Sequence, residues 1–198
     1  MFLVFEGIDG SGTTTQAHLL EKALLEKAIP SFLTAEPTNG NIGKYIRTLL
    51  SGSERISPRA LQLLFCADRE EHLQTEILPA LATGKMVLCD RYALSTICYS
   101  ALSGDAEYFS NISQIFPEPD LTIFLDITPK DALERIAKRS EQRDIFEDQK
   151  KLEIIAQEYE QQMKRIPENK KLVLDALESP EEIHQKILER VTSLDTLS

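Results

Sequence analysis

The segment from Phe5 to Gln16, FEGIDGSGTTTQ, is the part of the sequence best suited to holding a phosphate group. Loops that cradle phosphate read Gly, four residues, Gly-Lys, and then Ser or Thr; Gly7, Gly12 and Thr14 fit this pattern, but Thr13 stands in the place of the lysine. The backbone N–H groups of such a loop, and the helix N-terminus after it, attract phosphate without the lysine. We therefore predict a phosphate-binding loop that lacks one cation, with a glycine-rich structural turn as the alternative.

The predicted phosphate loop consists of Gly7, Ile8, Asp9, Gly10, Ser11, Gly12, Thr13, Thr14 and Thr15. A second polar cluster, Asp90 and Arg91, directly follows the apolar segment Met86–Cys89. Ligands of open parallel sheets bind beyond the carboxyl ends of the strands. Asp90 and the Thr14 hydroxyl could therefore meet Mg²⁺, and Arg91 could reach a phosphate group. An ordinary surface ion pair is the alternative for Asp90 and Arg91.

Two further sets of side chains have helical spacing. Tyr92, Thr96 and Ser100 would share one face if a helix follows Arg91, because residues four apart are neighbours on a helix. Phe65 and Arg69 have the same spacing and would offer a flat ring and a fork of donors. Taken alone, Phe65 is more typical of a hydrophobic core.

Five short apolar runs predict the strands that position these residues. They are Phe2–Phe5, Phe32–Ala35, Met86–Cys89, Leu121–Leu125 and Leu172–Leu174. Helices are predicted between and after them, at residues 14–27, 58–82, 129–139, 152–165 and 180–191. Alternating strands and helices predict a doubly wound α/β fold with a parallel sheet covered on both faces. We predict a single domain over residues 1–198.

Composition excludes several classes of partner. The chain has 22 Lys and Arg against 32 Asp and Glu, a net charge of −10, so we expect neither a general nucleic-acid binder nor a binder of anionic membranes. No apolar run has the roughly 20 residues of a membrane span, and the apolar start lacks the basic lead-in of a signal peptide. The odd count of three cysteines favours unpaired, buried thiols in a reducing compartment. We expect a cytoplasmic protein.

The sequence resembles the thymidylate kinase family from Met1 to about Ile187, in segments of matching order and spacing. These segments are FEGIDGSG, AEPTNG, IGKYIRTLL, LLFCADREEH, VLCDRYALSTICYS, PDLTIFLDI and ALERIAKR. The resemblance implies transfer of the γ-phosphoryl group of ATP to dTMP, giving dTDP. It also implies a P-loop kinase fold with a five-stranded parallel sheet, a small lid at about residues 136–148, a Mg²⁺ requirement and a homodimer.

The resemblance also assigns roles at the dTMP site. Phe65 matches the ring that stacks on thymine, and Arg69 matches the donor to the base. Arg47 and Arg91 match arginines that hold the dTMP phosphate. The remaining matches are Glu36, which lines the acceptor site, Asp9, near the acceptor's sugar and phosphate, and Thr96 and Ser100, which take base-facing positions after the segment Asp90-Arg91-Tyr92. Tyr92 is also expected in the dTMP site.

A phosphate monoester is already ionised near neutral pH, so transfer to dTMP needs no general base and depends on positioning and on cations. Asp9 and Arg91 are the expected catalytic residues at the loop, and Arg139 and Arg143 those of the lid. Arg135, Arg139 and Arg143 would form a stripe on one continuous helix, for which a solvated face is the alternative. We hypothesise that a lid arginine carries part of the charge of the missing lysine.

Two other functions remain open at this point. Thr13 could mark a catalytically impaired nucleotide-binding protein with a regulatory or scaffolding role. The chain could also be a kinase for another nucleoside monophosphate, such as dUMP, because a pocket for one methyl group discriminates by only about 1–3 kcal/mol.

Overall fold

A computed structural model describes residues 1–139, 146 and 148–195 of the chain. Its centre is a five-stranded sheet in the order β2-β3-β1-β4-β5, with every neighbouring pair parallel. The strands are β1 Phe2–Glu6, β2 Ser31–Ala35, β3 Met86–Asp90, β4 Leu121–Asp126 and β5 Lys171–Asp175. The predicted α/β fold with a five-stranded parallel sheet is confirmed, and each predicted strand lies within an observed one.

Helices connect the strands. They are α1 Thr13–Glu26, α2 Asn41–Leu50, α3 Pro58–His72, α4 Leu78–Ala82, α5 Ala93–Ser100, α6 Ala106–Ser113, α7 Pro129–Arg139, α8 Gln149–Met163 and α9 Pro180–Asp195. The predicted helix over 58–82 is interrupted by a π-helical turn at Leu73–Ile77, just before Pro79, a residue that cannot donate a helical hydrogen bond. Among the described α-helices, α2 and α6 have no counterpart in the predicted helices, and α5 is the helix after Arg91 that the sequence predicted only conditionally. No helix in the described ranges combines the length and apolarity that crossing a membrane requires.

Both faces of the sheet are covered, which explains why the strands are apolar without alternation. In β1, Leu3 and Phe5 belong to a core shared with α1, α7, α8 and α9. Phe2 and Val4 point to the opposite core, shared with α3, α5 and α6. Each fully buried side chain of this size stabilises the fold by roughly 1.5–3 kcal/mol.

The carboxyl ends of the three central strands lie together. Phe5 of β1 is aligned with Asp90 of β3, and Asp90 with Ala35 of β2. The segments that follow these strands therefore start at one edge of the sheet: the phosphate loop, residues 36–40 and residues 91–92. The predicted lid falls mostly on residues 140–145 and 147, which lie outside the described residues, and the single-domain assignment stays a prediction.

Candidate active site

The phosphate loop joins β1 to α1 as a tight turn. A Cβ atom at Gly7 would lie 2.5 Å from Ser11 Oγ and 2.9 Å from the Leu125 carbonyl oxygen, so only glycine fits there. Gly12 has a φ of 101° at the N-cap of α1, a conformation that favours glycine. Within the described part of the chain, no side chain caps this helix and its first turn holds no acid. The first N–H groups of α1 are therefore open to an anion.

A cavity lies over the loop, and we call it the loop cavity. It is lined by Asp9, Gly10, Gly12, Thr13, Thr14, Thr15, Arg91, Arg135 and Ile136. Arg135 donates to the carbonyl oxygens of Gly10 (3.4 Å), Ser11 (3.3 Å) and Ala176 (2.5 Å). Arg135 therefore contacts the loop instead of lying on a solvated helix face. Ser11 Oγ is buried and has no partner among the described residues.

Thr14 and Asp90 meet beside the loop. Thr14 Oγ1 donates to Asp90 Oδ2 at 2.5 Å, and Asp90 Oδ1 is buried without a hydrogen-bond partner in the described part of the chain. A hydroxyl and a carboxylate are ligands that Mg²⁺ prefers, and a buried carboxylate oxygen without a partner is costly. These two side chains therefore fit a Mg²⁺ ion.

Arg91 lies at the centre of the site. Its Nη1 donates to the Gly7 carbonyl oxygen (2.8 Å), and its Nη2 donates to Asp9 Oδ1 (2.7 Å). Tyr99 donates to the second oxygen of Asp9 (2.9 Å), and its ring lies 5.5 Å from the Arg91 guanidinium carbon. Burial opposes the charge of Arg91, but Tyr99 and Asp9 raise the pKa of its guanidinium well above its usual value. Arg91 is therefore a fixed cation.

A second cleft lies between α3, α5 and the segment after β2, and we call it the Arg69 cleft. Arg69 is 1% exposed, and its Nε and Nη2 atoms donate to Glu36 Oε2 at 2.9 and 2.7 Å. Nη2 also donates to Thr96 Oγ1 at 3.0 Å. Nη1 is buried and has no partner among the residues that the structure describes. The cleft therefore contains a donor that is not used within the described residues, Arg69 Nη1, next to an ion pair whose two charges balance.

The other walls of the Arg69 cleft are aromatic and polar. Phe65 is half-buried and lines the cleft, as do Tyr92 and Thr96. The Tyr92 ring lies 4.9 Å from the Arg69 guanidinium carbon, and its hydroxyl has no partner within the described ranges. A flat ring, an arginine N–H and a hydroxyl suit a planar ring ligand with polar edges.

Some predicted site residues lie elsewhere. Arg47 donates to the carbonyl oxygens of Pro37 and Thr38 and lines a neighbouring cavity with Thr14 and Asp90. Ser100 is 1% exposed, and its hydroxyl donates to the Ile97 carbonyl oxygen at 2.6 Å. Neither side chain lines the Arg69 cleft as the described residues define it. The Arg139 side chain and all of Arg143 lie outside the described residues.

The sequence did not reveal the buried side chains that support the site residues through hydrogen bonds. Glu6 accepts hydrogen bonds from the start of α5, and Asp68 accepts from the Thr38 N–H and hydroxyl, both at 2.7 Å. His72 lies 3.2 Å from Glu36 through its Nδ1 and 2.7 Å from Thr34 Oγ1 through its Nε2. An acid at the end of an apolar strand and a histidine three residues after Arg69 were the available signals.

Glu36, His72 and Cys89 lie close enough together to hold a metal ion. However, Glu36 already accepts from Arg69, and the Cys89 thiol donates to the Arg91 carbonyl oxygen at 3.0 Å. Burial, and then the charge of Glu36, raises the pKa of Cys89 well above its usual value, whereas a metal binds the thiolate. We therefore interpret this group as a hydrogen-bonded support of the cleft.

Comparisons with known proteins identify the family of the chain. The family model described as "Thymidylate kinase" matches residues 5–187. The thymidylate kinase of Leptospira borgpetersenii is 40% identical over 192 residues, covering 96% of this chain and 92% of the relative. The probable thymidylate kinase of Pyrococcus horikoshii is 41% identical over 197 residues, covering 94% and 93%. The putative enzyme of Treponema pallidum is 37% identical over 193 residues, covering 94% and 92%. The chain belongs to the thymidylate kinase family.

Proposed function

We propose that the chain transfers the γ-phosphoryl group of ATP to dTMP, giving dTDP. Asp9 and Arg91 line both the loop cavity and the Arg69 cleft, and this shared wall is the observation that supports the proposal most directly. A triphosphate bound over the loop and a monophosphate bound in the cleft would face each other across these two side chains. In-line phosphoryl transfer needs this kind of adjacency.

The nucleobase of dTMP belongs in the Arg69 cleft. Phe65 would stack on the ring, and the free Nη1 of Arg69 would donate to a base oxygen. Thr96 and Tyr92 line the same space, and Glu36 holds Arg69 in place. Ser100 would act only through the helix that it stabilises, because its hydroxyl is bonded to Ile97.

The phosphate of dTMP belongs next to Arg91. The acceptor oxygen is already ionised at neutral pH, so this chain needs no base and must only orient the acceptor and stabilise charge. Asp9 accepts from both Arg91 and Tyr99 and so fixes the guanidinium at the boundary of the two cavities. Arg47 would assist after leaving the carbonyl oxygens of Pro37 and Thr38, to which it now donates.

Mg²⁺ is part of the proposal. Thr14 and Asp90 would hold it, since Asp90 Oδ1 lacks a partner among the described residues. When bound, the ion supplies positive charge to the phosphate oxygens of ATP.

Arginines would supply the positive charge that Thr13 lacks. Arg91 and Arg135 are the basic side chains that line the loop cavity among the described residues. We propose that Arg139 and Arg143 join them from the lid at about residues 136–148. The homodimer and the cytoplasmic location are also part of the proposal, on the basis of the family resemblance and of three unpaired, buried cysteines.

The alternatives receive less support. An impaired nucleotide-binding protein would not be expected to keep all three of these pairs, Thr14 with Asp90, Arg91 with Asp9 and Arg69 with Glu36. A dUMP kinase would use the same site, so we expect dUMP to be a weaker substrate of this enzyme rather than evidence of a separate function.

The test is to incubate the purified chain with ATP and Mg²⁺ and, separately, dTMP, dUMP, dCMP or thymidine. Products would be separated by ion-exchange chromatography. We expect dTDP to form fastest and dUDP more slowly. Thymidine should remain unphosphorylated, because the carboxylates that line the described part of the site, Asp9 and Glu36, are paired with Arg91 and Arg69 and are not free to act as the base that a 5′-hydroxyl needs. Nucleotide binding without any turnover would support the impaired protein instead. Preferential formation of another diphosphate would reassign the substrate.

A further inference from the structure

Glu6 is the last residue of β1 and is fully buried, although it is charged in water. Its Oε1 accepts from the backbone N–H groups of Tyr92 (3.0 Å) and Ser95 (3.3 Å). Its Oε2 accepts from the hydroxyls of Ser95 (2.6 Å) and Tyr159 (2.8 Å). Glu6 lines neither the loop cavity nor the Arg69 cleft as the described residues define them. Three of these four hydrogen bonds come instead from the segment that follows β3.

The backbone of that segment is unusual at Arg91. Arg91 has a φ of 69°, which a residue with a side chain rarely adopts. The backbone is tied to β1 on both sides of this turn. The Arg91 N–H donates to the Phe5 carbonyl oxygen at 2.9 Å, and the next N–H, that of Tyr92, donates to Glu6. The carboxylate of Glu6 therefore helps to hold the left-handed turn.

Glu6 also reaches the guanidinium of Arg91 through one intermediate side chain. Ser95 Oγ accepts from Arg91 Nη1 at 3.2 Å while its own hydroxyl is bonded to Glu6. Burial raises the pKa of Glu6, whereas the Ser95 bond and the charge of Arg91 act in the opposite direction. Both the backbone and the side chain of Arg91 are thus connected to one buried carboxyl group.

We infer that Glu6 is a positioning residue that holds Arg91 where it can contact the phosphate of dTMP. This inference rests on the proposed function, because the role of Arg91 toward phosphate belongs to that proposal. Tyr159 extends the connection to α8, the helix that begins just after the predicted lid. Glu6 itself contacts no substrate, so its effect should appear only on ligands that carry a phosphate.

The test compares binding of dTMP with binding of thymidine, which has the same base and sugar but no phosphate. Glu6→Gln keeps the size of the side chain and one oxygen acceptor but removes the charge and reverses the bond to Ser95. We expect dTMP to bind about tenfold more weakly, because hydrogen bonds to charged groups are stronger than neutral ones. Thymidine affinity should remain unchanged. Calorimetry for dTMP and ligand-observed NMR for thymidine measure the two constants.

Two further variants separate positioning from a general loss of structure. Ser95→Ala removes the link to the guanidinium together with one of the two hydroxyl bonds to Glu6 Oε2, keeps the carboxylate itself, and should also weaken dTMP alone. In an Arg91→Ala background, Glu6→Gln should change dTMP affinity less than about twofold, because groups that act through one another are not additive. Melting temperatures confirm that each variant is folded.

The outcomes are distinct. Equal weakening of dTMP and thymidine, or an undiminished Glu6→Gln effect in the Arg91→Ala background, would overturn the inference about Glu6. Unchanged dTMP affinity in both Glu6→Gln and Ser95→Ala would overturn it as well. If Arg91→Ala alone binds dTMP as wild type does, the assignment of Arg91 fails, and with it this part of the proposed function.

Discussion

The loop cavity and the Arg69 cleft both contain arginine side chains, but their charges are balanced differently. Among the described residues, the side chains lining the cleft that are charged at neutral pH are Asp9, Glu36, Arg69 and Arg91, two acids against two bases. The loop cavity has two arginines, Arg91 and Arg135, and one acid, Asp9. The cleft is therefore formally neutral and the loop cavity is positive, even though the whole chain carries a net charge of −10.

This difference indicates how one site can bind a neutral base and several negative phosphates. Arg69 gives most of its hydrogen bonds to Glu36 and keeps the N–H groups of Nη1 for recognition. Arg91 is paired with Asp9 but remains at the boundary, with its side chain 19% exposed. Burying an unpaired charge is costly. The Arg69–Glu36 ion pair therefore shapes the cleft without giving it a net charge, whereas the excess cation of the loop cavity attracts phosphate.

Arg91→Ala should have the largest effect, because it tests the difference in charge between the loop cavity and the Arg69 cleft. It removes the cation shared by both cavities, and we expect kcat/KM for dTMP to fall by about 10³-fold or more, as for other fixed donors at transferring groups. Steady-state kinetics at saturating ATP measures the effect. Arg59→Ala is the matched control, because Arg59 pairs with Asp105 and its side chain is 60% exposed. A fall of less than about tenfold would mean that Arg91 is not the shared cation.

Arg69→Met tests the ion pair that makes the Arg69 cleft formally neutral. The variant keeps much of the apolar stem but leaves Glu36 buried beside His72 without its main partner. Removing one member of a buried pair typically costs about 3–5 kcal/mol, and urea unfolding should show a loss of this size. The double variant Arg69→Met with Glu36→Gln should recover part of that stability. If the single variant unfolds like wild type, the pair is not structurally important.

Thr13→Lys tests whether the loop cavity needs the lysine. Arg91 and Arg135 already line the cavity, and Thr13 is only 5% exposed. We therefore expect kcat to change by less than about tenfold, a smaller effect than loss of a fixed donor. Thr13→Met is the control for side-chain length without charge. A rise of several orders of magnitude, specific to lysine, would show that the described arginines do not replace it.

The sequence predicted the fold well because the strands are short apolar runs that end at glycine or acid. It also grouped Thr14 with Asp90, and Phe65 with Arg69, because both pairs follow from strand ends or helical spacing. It could not predict the direction of Arg47, which depends on the position of the Pro37 and Thr38 carbonyl oxygens.

Ser100 and Glu6 show the same limit of sequence-based prediction: Ser100 was expected at the site but lies outside the cleft, and Glu6 was not expected there but supports it. Helical spacing put Ser100 on one face with Tyr92 and Thr96, but its hydroxyl bonds to the preceding turn of α5 and so leaves the cleft. Glu6 directly follows the apolar run Phe2–Phe5, and only the packed structure brings it to Tyr92 and Ser95, far along the chain. Side chains whose partners are distant in sequence need the tertiary structure before a role can be assigned.

The smallest expected effect concerns pH and again compares Glu6→Gln with wild type. Burial raises the pKa of Glu6 above its usual value of 4.5 in the folded state. The stability that a raised pKa contributes is complete below the unfolded pKa and is lost as pH rises through the folded pKa. Gln does not titrate, so the stability of wild type relative to Glu6→Gln should decline as pH rises from 4.5, the usual pKa of this group, toward neutral pH. Urea unfolding across this range measures the difference, with Tyr159→Phe as a variant that keeps the carboxyl group and therefore the decline. If wild type instead gains on Glu6→Gln as pH rises, the hydrogen bonds and the charge of Arg91 outweigh burial. In that case Glu6 would be ionised in the folded protein: Arg91 would stabilise its charge, and Glu6 would position Arg91.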